Sequence, residues 1–160
     1  MLIDTVVINA SPLISLFRSG QAELLPQLFK RIVVPEAVWL EVAHEQQDAA
    51  AIGLKSKTWP IRQKVVISQR VQAWNLGNGE TDVLSYALAC PPVRAVIDDR
   101  DARRCAKSLD IPMLGTGGIL LLAKRRGLLM SVGEGLNKLH DAGLWLSEDL
   151  VKLIKTQAGE

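Results

Sequence analysis

Apolar residues in this chain come in short continuous runs that alternate with stretches of helical periodicity. Thr5–Ile8 is a buried-type β-run that ends at Asn9. Ser11-Pro12 then opens a helical pattern through Leu13, Leu16 and Phe17, and a short helix follows around Ala22–Phe29. Ile32–Val34 is a β-branched run stopped by Pro35, and Pro is favoured in the first turn of a helix, here over Glu36–Gln47. The stretch from Asp48 to Leu76 is the least regular part, and its best strand candidate is Val65–Ile67. Gly77-Asn78-Gly79 signals a turn before a helix from Glu80 to about Ala89, closed by Pro91-Pro92. Ala95–Ile97 predicts a strand, about Ala102–Leu109 a helix, Pro112–Leu114 a short strand and Gly118–Arg126 a helix with a basic end. Two more helices are expected near Val132–Ala142 and Ser147–Thr156, the last with Ser147 as N-cap and Glu148 and Asp149 in its first turn.

This alternation of strand and helix predicts a three-layer α/β/α fold, with a mainly parallel sheet between helices, in a single domain spanning 1–160. Hydrophobic residues make up 48% of the 160, enough for a real core, while aromatics are only 4%, so Leu, Val, Ile and Ala must fill it. A net charge of +2 does not announce a nucleic-acid binder, so such a role needs local placement of charge. The opening Met1 to Leu16 has no basic start and is interrupted by Asp4 and Asn9, which reads as a first strand and not a secretion signal. No apolar run approaches the ~18 residues of a membrane span. Cys90 and Cys105 share no metal-ligand spacing and are read as buried free thiols of a cytoplasmic protein.

In open α/β sheets ligands sit beyond the carboxyl ends of the strands. The predicted strands deliver Asn9 and Ser11, then Asp98 and Asp99, then Gly115 and Thr116 to that edge. Glu80 continues the apolar stripe of Val83, Leu84, Ala87 and Leu88, so it faces the protein. Glu41, between Val38 and Val42, lies on or beside a buried face, where a carboxylate is costly unless paired or bound to metal. Singly, each has an ordinary explanation: a helix-start acid, a solvated Glu, a turn, a cap. Their joint placement is what points to a site. His44 and His140 have no ligand spacing and receive no role.

The motifs, in order and spacing, resemble the PIN-domain nucleases from about Val6 onward. Asn9-Ala10-Ser11-Pro12-Leu13 looks like the opening Asp-x-Ser-x-Leu motif, and Pro35 to Glu41 like the second. Gly77-Asn78-Gly79-Glu80 resembles the third, and Ile97 to Arg103 the fourth. Leu114 to Gly118, followed by Ala123 to Gly127, is similar to the tail of a bacterial and archaeal subgroup. The resemblance implies a Mg²⁺- or Mn²⁺-dependent ribonuclease, commonly the toxin partnered by a small antitoxin, with homodimers as the family's habit. By position it makes Glu41, Glu80 and Asp99 the acidic ligands, with Asp98 beside them and Ser11 and Thr116 in support. Asn9 departs from the family by replacing the first acid: its amide oxygen can ligate a hard cation but brings no charge. RNA would be held by Arg100, Arg103 and Arg104, and by the second basic cluster at Lys124. Two rival readings are a PIN-fold module that binds RNA or antitoxin without cutting, because of Asn9, and a phosphohydrolase. The second is opposed because no strand ends in Asp-x-Asp-x-Thr.

Overall fold

The computed structural model describes residues 4–160, so the first three positions of the opening stretch lie outside it. Five parallel strands form one sheet in the order β3-β2-β1-β4-β5, flanked by helices. β1 (Thr5–Ile8) is the central strand, and Val6, Val7 and Ile8 are completely buried. Such an uninterrupted apolar run suits a strand covered on both faces. It pairs with β2 (Arg31–Pro35) through Val6↔Ile32 and with β4 (Arg94–Val96) through Ile8↔Val96. β3 (Pro60–Gln63) and β5 (Met113–Leu114) are the edges.

Between these strands run α1 (Ala10–Arg18), α2 (Leu24–Leu28), α3 (Glu36–His44), α4 (Ala49–Ser56), α5 (Gln69–Gln72) and α6 (Asn78–Ala89). α7 (Arg100–Ser108) joins β4 to β5, and α8 (Thr116–Arg125), α9 (Val132–Asp141) and α10 (Glu148–Gln157) complete the chain. The Ser147 hydroxyl accepts from the Leu150 N–H, capping α10.

Four expectations need correction. Val65–Ile67 is not a strand: Val66 is 91% exposed, a β-branched run with no strand beside it. The strand of this region is β3, disguised by Arg62 and by a proline that an edge strand tolerates at its first residue. The same region also holds α4, capped by Asp48 accepting from the Ala50 N–H at 3.1 Å. α6 begins at Asn78, with Gly77 as its N-cap, so the glycine-rich segment is the start of the helix and not a separate turn. Of the two free thiols, Cys105 is buried but Cys90 is exposed.

Candidate active site

The chain runs from β1 outward to β2 and β3, then returns to lay β4 on the other side of β1. The carboxyl ends of β1 and β4 therefore flank the point where the strand order reverses, the usual ligand crevice of such sheets. Asn9 stands there. Its backbone N–H continues the pairing by donating to Val96 O at 3.0 Å. It is the N-cap of α1, but its side chain makes no cap bond and is drawn inward, leaving the residue 3% exposed. The amide nitrogen donates to Glu80 Oε1 at 3.1 Å, while Oδ1 is buried without a hydrogen-bond partner. A buried amide oxygen left unpaired costs about 1–3 kcal/mol, which marks the position as unfinished by the protein alone.

Three glycines make room for this site. A Cβ on Gly79 would lie 3.0 Å from Asn9 Oδ1, one on Gly77 2.6 Å from Glu80 Oε2, and one on Gly115 3.1 Å from Asp98 Oδ1. At these glycines the carboxylate and amide oxygens occupy the space a side chain would fill, so a larger residue would push them aside.

Glu41 is on the solvent side of α3, next to buried Val42. Desolvation of its carboxyl, and secondly the negative charge of Glu80, raise its pKa above the usual carboxylate value. Two acids from different helices therefore feel each other across this edge. α3 is held in place from both sides. Glu36, in its first turn, accepts two hydrogen bonds from Arg62 at 2.6 and 2.8 Å, and the Arg62 guanidinium stacks over Trp39 at 5.2 Å. The Ala37 N–H donates to Asp82 Oδ2 at 3.1 Å. Asp82 is a carboxylate that sequence reasoning missed. It is 8% exposed, and desolvation, only partly offset by the Ala37 bond, raises its pKa. An acid two residues after Glu80 in an otherwise buried helix segment, Thr81 to Ser85, was the available signal.

The Asp98-Asp99 pair divides its work. Asp98 accepts from the Thr116 backbone N–H at 2.8 Å and from its hydroxyl at 2.5 Å, joining the end of β4 to the start of α8. Thr116 is fully buried. Asp99 is exposed and is the N-cap of α7, accepting from the Ala102 N–H at 3.0 Å. Ser11 is exposed in the first turn of α1. Arg103 Nη1 donates to Ile97 O at 3.0 Å and reaches the Gly115 side of Asp98. Lys124 lies apart, bound to Glu160 at 2.6 Å.

The structure thus brings Asn9 and Glu80 together, leaves Glu41 near enough for the charge of Glu80 to raise its pKa, and joins Asp98 to Thr116 at the end of β4. It does not gather Glu41, Glu80 and Asp99 into one set: among the described residues no three His, Cys, Asp or Glu side chains form a ready metal-ligand group. The available donors nevertheless fit a hard divalent cation. They are all oxygens, and the buried, unpartnered Asn9 Oδ1 lies against the Glu80 side of the site. The shortfall is in charge, because an amide stands where a third carboxylate would. No described helix is long and apolar enough to cross a membrane.

No curated protein matches the chain. A family model described as a PIN domain matches residues 5–160, so the match takes in every strand, every helix and the whole of this edge. The chain belongs to the PIN domain family, a nuclease fold.

Proposed function

We propose that this protein is a divalent-metal-dependent endoribonuclease, using Mg²⁺ or Mn²⁺, and the toxin of a cytoplasmic toxin–antitoxin pair with a small protein antitoxin. A homodimer is part of the same reading. The observation that carries it is the buried, unpartnered Asn9 Oδ1 beside Glu80, at the point where the strand order reverses. Glu80 and the Asn9 oxygen would hold the ion directly, with Glu41 and Asp98 reaching it through its bound waters. A bound divalent cation supplies charge neutralisation on the phosphate and a lowered pKa for its attacking water.

The protein's own groups do the rest. Asn9 Nδ2 fixes Glu80 Oε1, so that carboxylate keeps one orientation. Glu41, whose pKa is raised by burial of its carboxyl, would accept the proton of the attacking water at a carboxylate oxygen. Thr116 holds Asp98 by two hydrogen bonds, leaving that carboxylate little rotational freedom. Arg103, anchored on Ile97 O, offers its remaining N–H groups to the phosphate. We assign Asp98, and not Asp99, to the site because Asp98 is half-buried and pinned to Thr116 at the sheet edge, whereas Asp99 is exposed and caps its own helix.

One observation favours a second reading. The Asn9–Glu80 hydrogen bond satisfies Glu80 without any cation, which suits a PIN-fold module that binds RNA or antitoxin with little cleavage. Cleavage of single-stranded RNA in Mg²⁺ and in Mn²⁺, with Asn9→Asp beside the parent, separates the two. A parent that cuts, and loses that activity on Glu80→Ala, supports the nuclease. An inert parent with an active Asn9→Asp supports the module. If neither cuts in either metal, the nuclease reading is wrong.

A further inference from the structure

α10 is held to the body of the fold at two places. Ile154 is its buried residue, whereas Leu150 and Leu153 are exposed. Ile154 lies against the first turn of α8: a Cβ on Gly117 would overlap its Cδ1 and come within 3.4 Å of its Cγ1. Glycine at 117 is therefore what lets a branched side chain lie flush on that turn. The second hold is Glu160, just beyond the helix. Its carboxylate accepts from Lys124 Nζ at 2.6 Å, from the Val132 and Gly133 N–H groups at 2.7 and 3.1 Å, and from the Ser131 hydroxyl at 3.1 Å. α10 is thus a strap, mostly exposed along its length and fastened at Ile154 and Glu160 to α8 and the start of α9.

The turn that Ile154 covers is weak on its own. Gly115, its N-cap, supplies no side-chain cap, and Gly117 and Gly118 are poor helix formers. What holds the turn comes from other parts of the chain. On one side Asp98, at the end of β4, accepts from the Thr116 N–H and hydroxyl. On the other, Ile154 packs on the very next residue. If Ile154 withdraws, the turn gains freedom, and Thr116 no longer presents both donors to Asp98 in one geometry. Those two hydrogen bonds are what restrain the Asp98 carboxylate, so the seating of α10 reaches the candidate site through a single turn of helix.

We propose that Ile154 is a positioning residue: by packing on Gly117 it holds the first turn of α8, and through Thr116 it fixes the Asp98 carboxylate, with the Glu160 clamp keeping α10 seated. The coupling is a property of the fold alone, while its consequence for cleavage rests on the nuclease reading above. Gly117 is helical, so alanine suits its backbone and only the overlap with Ile154 opposes it. That overlap is with Cδ1, the carbon that valine lacks, so a second substitution can relieve the first.

Backbone hydrogen exchange followed by NMR on the full chain, in EDTA, reads the coupling without metal or turnover. The reporter is the Thr116 N–H, and the matched control is the Ala37 N–H, which donates to a different aspartate, Asp82, at the start of α3. Ile154→Ala and Gly117→Ala should each speed Thr116 exchange at least about tenfold relative to Ala37. Gly117→Ala combined with Ile154→Val should return it to within about twofold of the parent. Glu160→Gln should act in the same direction and less strongly. Thr116 exchange unchanged by both single variants overturns the proposal. So does an equal acceleration at Ala37, which would make the effect a loss of global stability, and so does a double variant that restores nothing. In a parent that cuts RNA, kcat should fall with the loosening of Thr116 and recover in the double variant, with KM near the parent's. A rescued Thr116 response in a protein that never cuts supports the coupling while sinking the nuclease reading. Cleavage at the parent's rate by variants whose Thr116 is loosened overturns the positioning role and leaves the nuclease reading standing.

Discussion

Asn9→Asp is the most informative single change in this protein, because it exchanges an attraction for a repulsion inside a nearly closed position. Asn9 is 3% exposed, and its amide nitrogen lies 3.1 Å from Glu80 Oε1. The variant loses a charge-assisted hydrogen bond, worth about 1.5–3 kcal/mol. It also sets a second anion at that distance, where two unit charges repel by about 5 kcal/mol at an effective dielectric constant of 20. Partial protonation relieves some of this, so the metal-free variant should be less stable than the parent by about 3 kcal/mol. For a chain of this length that is a fall in melting temperature of roughly 6–12 °C. Bound metal removes the repulsion, and a ligand at 100 times its Kd adds about 2.7 kcal/mol. Thermal unfolding followed by circular dichroism at pH 8, in EDTA and in Mg²⁺, reads both effects. The variant should melt well below the parent in EDTA and recover most of the gap in Mg²⁺, while the parent gains less. A variant that matches the parent in EDTA and gains nothing further from Mg²⁺ would show that residues 9 and 80 do not share a charged pocket, and the reasoning would fail.

Three further outcomes follow from the geometry. Asp98→Asn should abolish metal-dependent cleavage, whereas Asp99→Ala should cost about 0.5–2 kcal/mol of stability through the lost α7 cap and leave turnover of the folded protein near the parent's; the opposite pattern in paired activity and urea-denaturation assays would return the role to Asp99. Glu160 accepts from Lys124, Ser131 and the Val132 and Gly133 N–H groups, which pull its pKa from 4.5 down to about 2. Its stabilisation is therefore complete above about pH 4.5 and fades as the pH falls toward 2, so urea midpoints of parent and Glu160→Gln should differ at pH 7 and converge between those values; a gap that does not close would contradict the clamp. Gly53→Ala would push a methyl group into the Phe17 ring, which stacks on Trp59 at 5.7 Å, and such overpacking should cost about 1–3 kcal/mol in chemical denaturation.

Much of this molecule is legible in local pattern. The β-branched run Val6-Val7-Ile8 reads as a strand covered on both faces, and the alternation of such runs with helical stripes points to a mainly parallel α/β sheet. The order of Asn9, Glu41, Gly77–Glu80 and Asp98-Asp99 marks the sheet edge where chemistry would lie, because polar groups that repeatedly follow buried strands collect at their carboxyl ends.

Tertiary structure decided the rest. β3 has little periodicity of its own, because an edge strand is half exposed and takes its conformation from pairing with β2. Which aspartate of Asp98-Asp99 turns to α8 and which caps α7 depends on where Thr116 arrives, and β5 brings Thr116 there from eighteen positions further along the chain. Asp82 looks like an ordinary helix residue until the start of α3 packs against it. Glu80 likewise finds its partner 71 residues away. Periodicity records which side of an element is buried; it carries no information about what another element will place against that side, and hydrogen bonds and charge coupling act only across that contact.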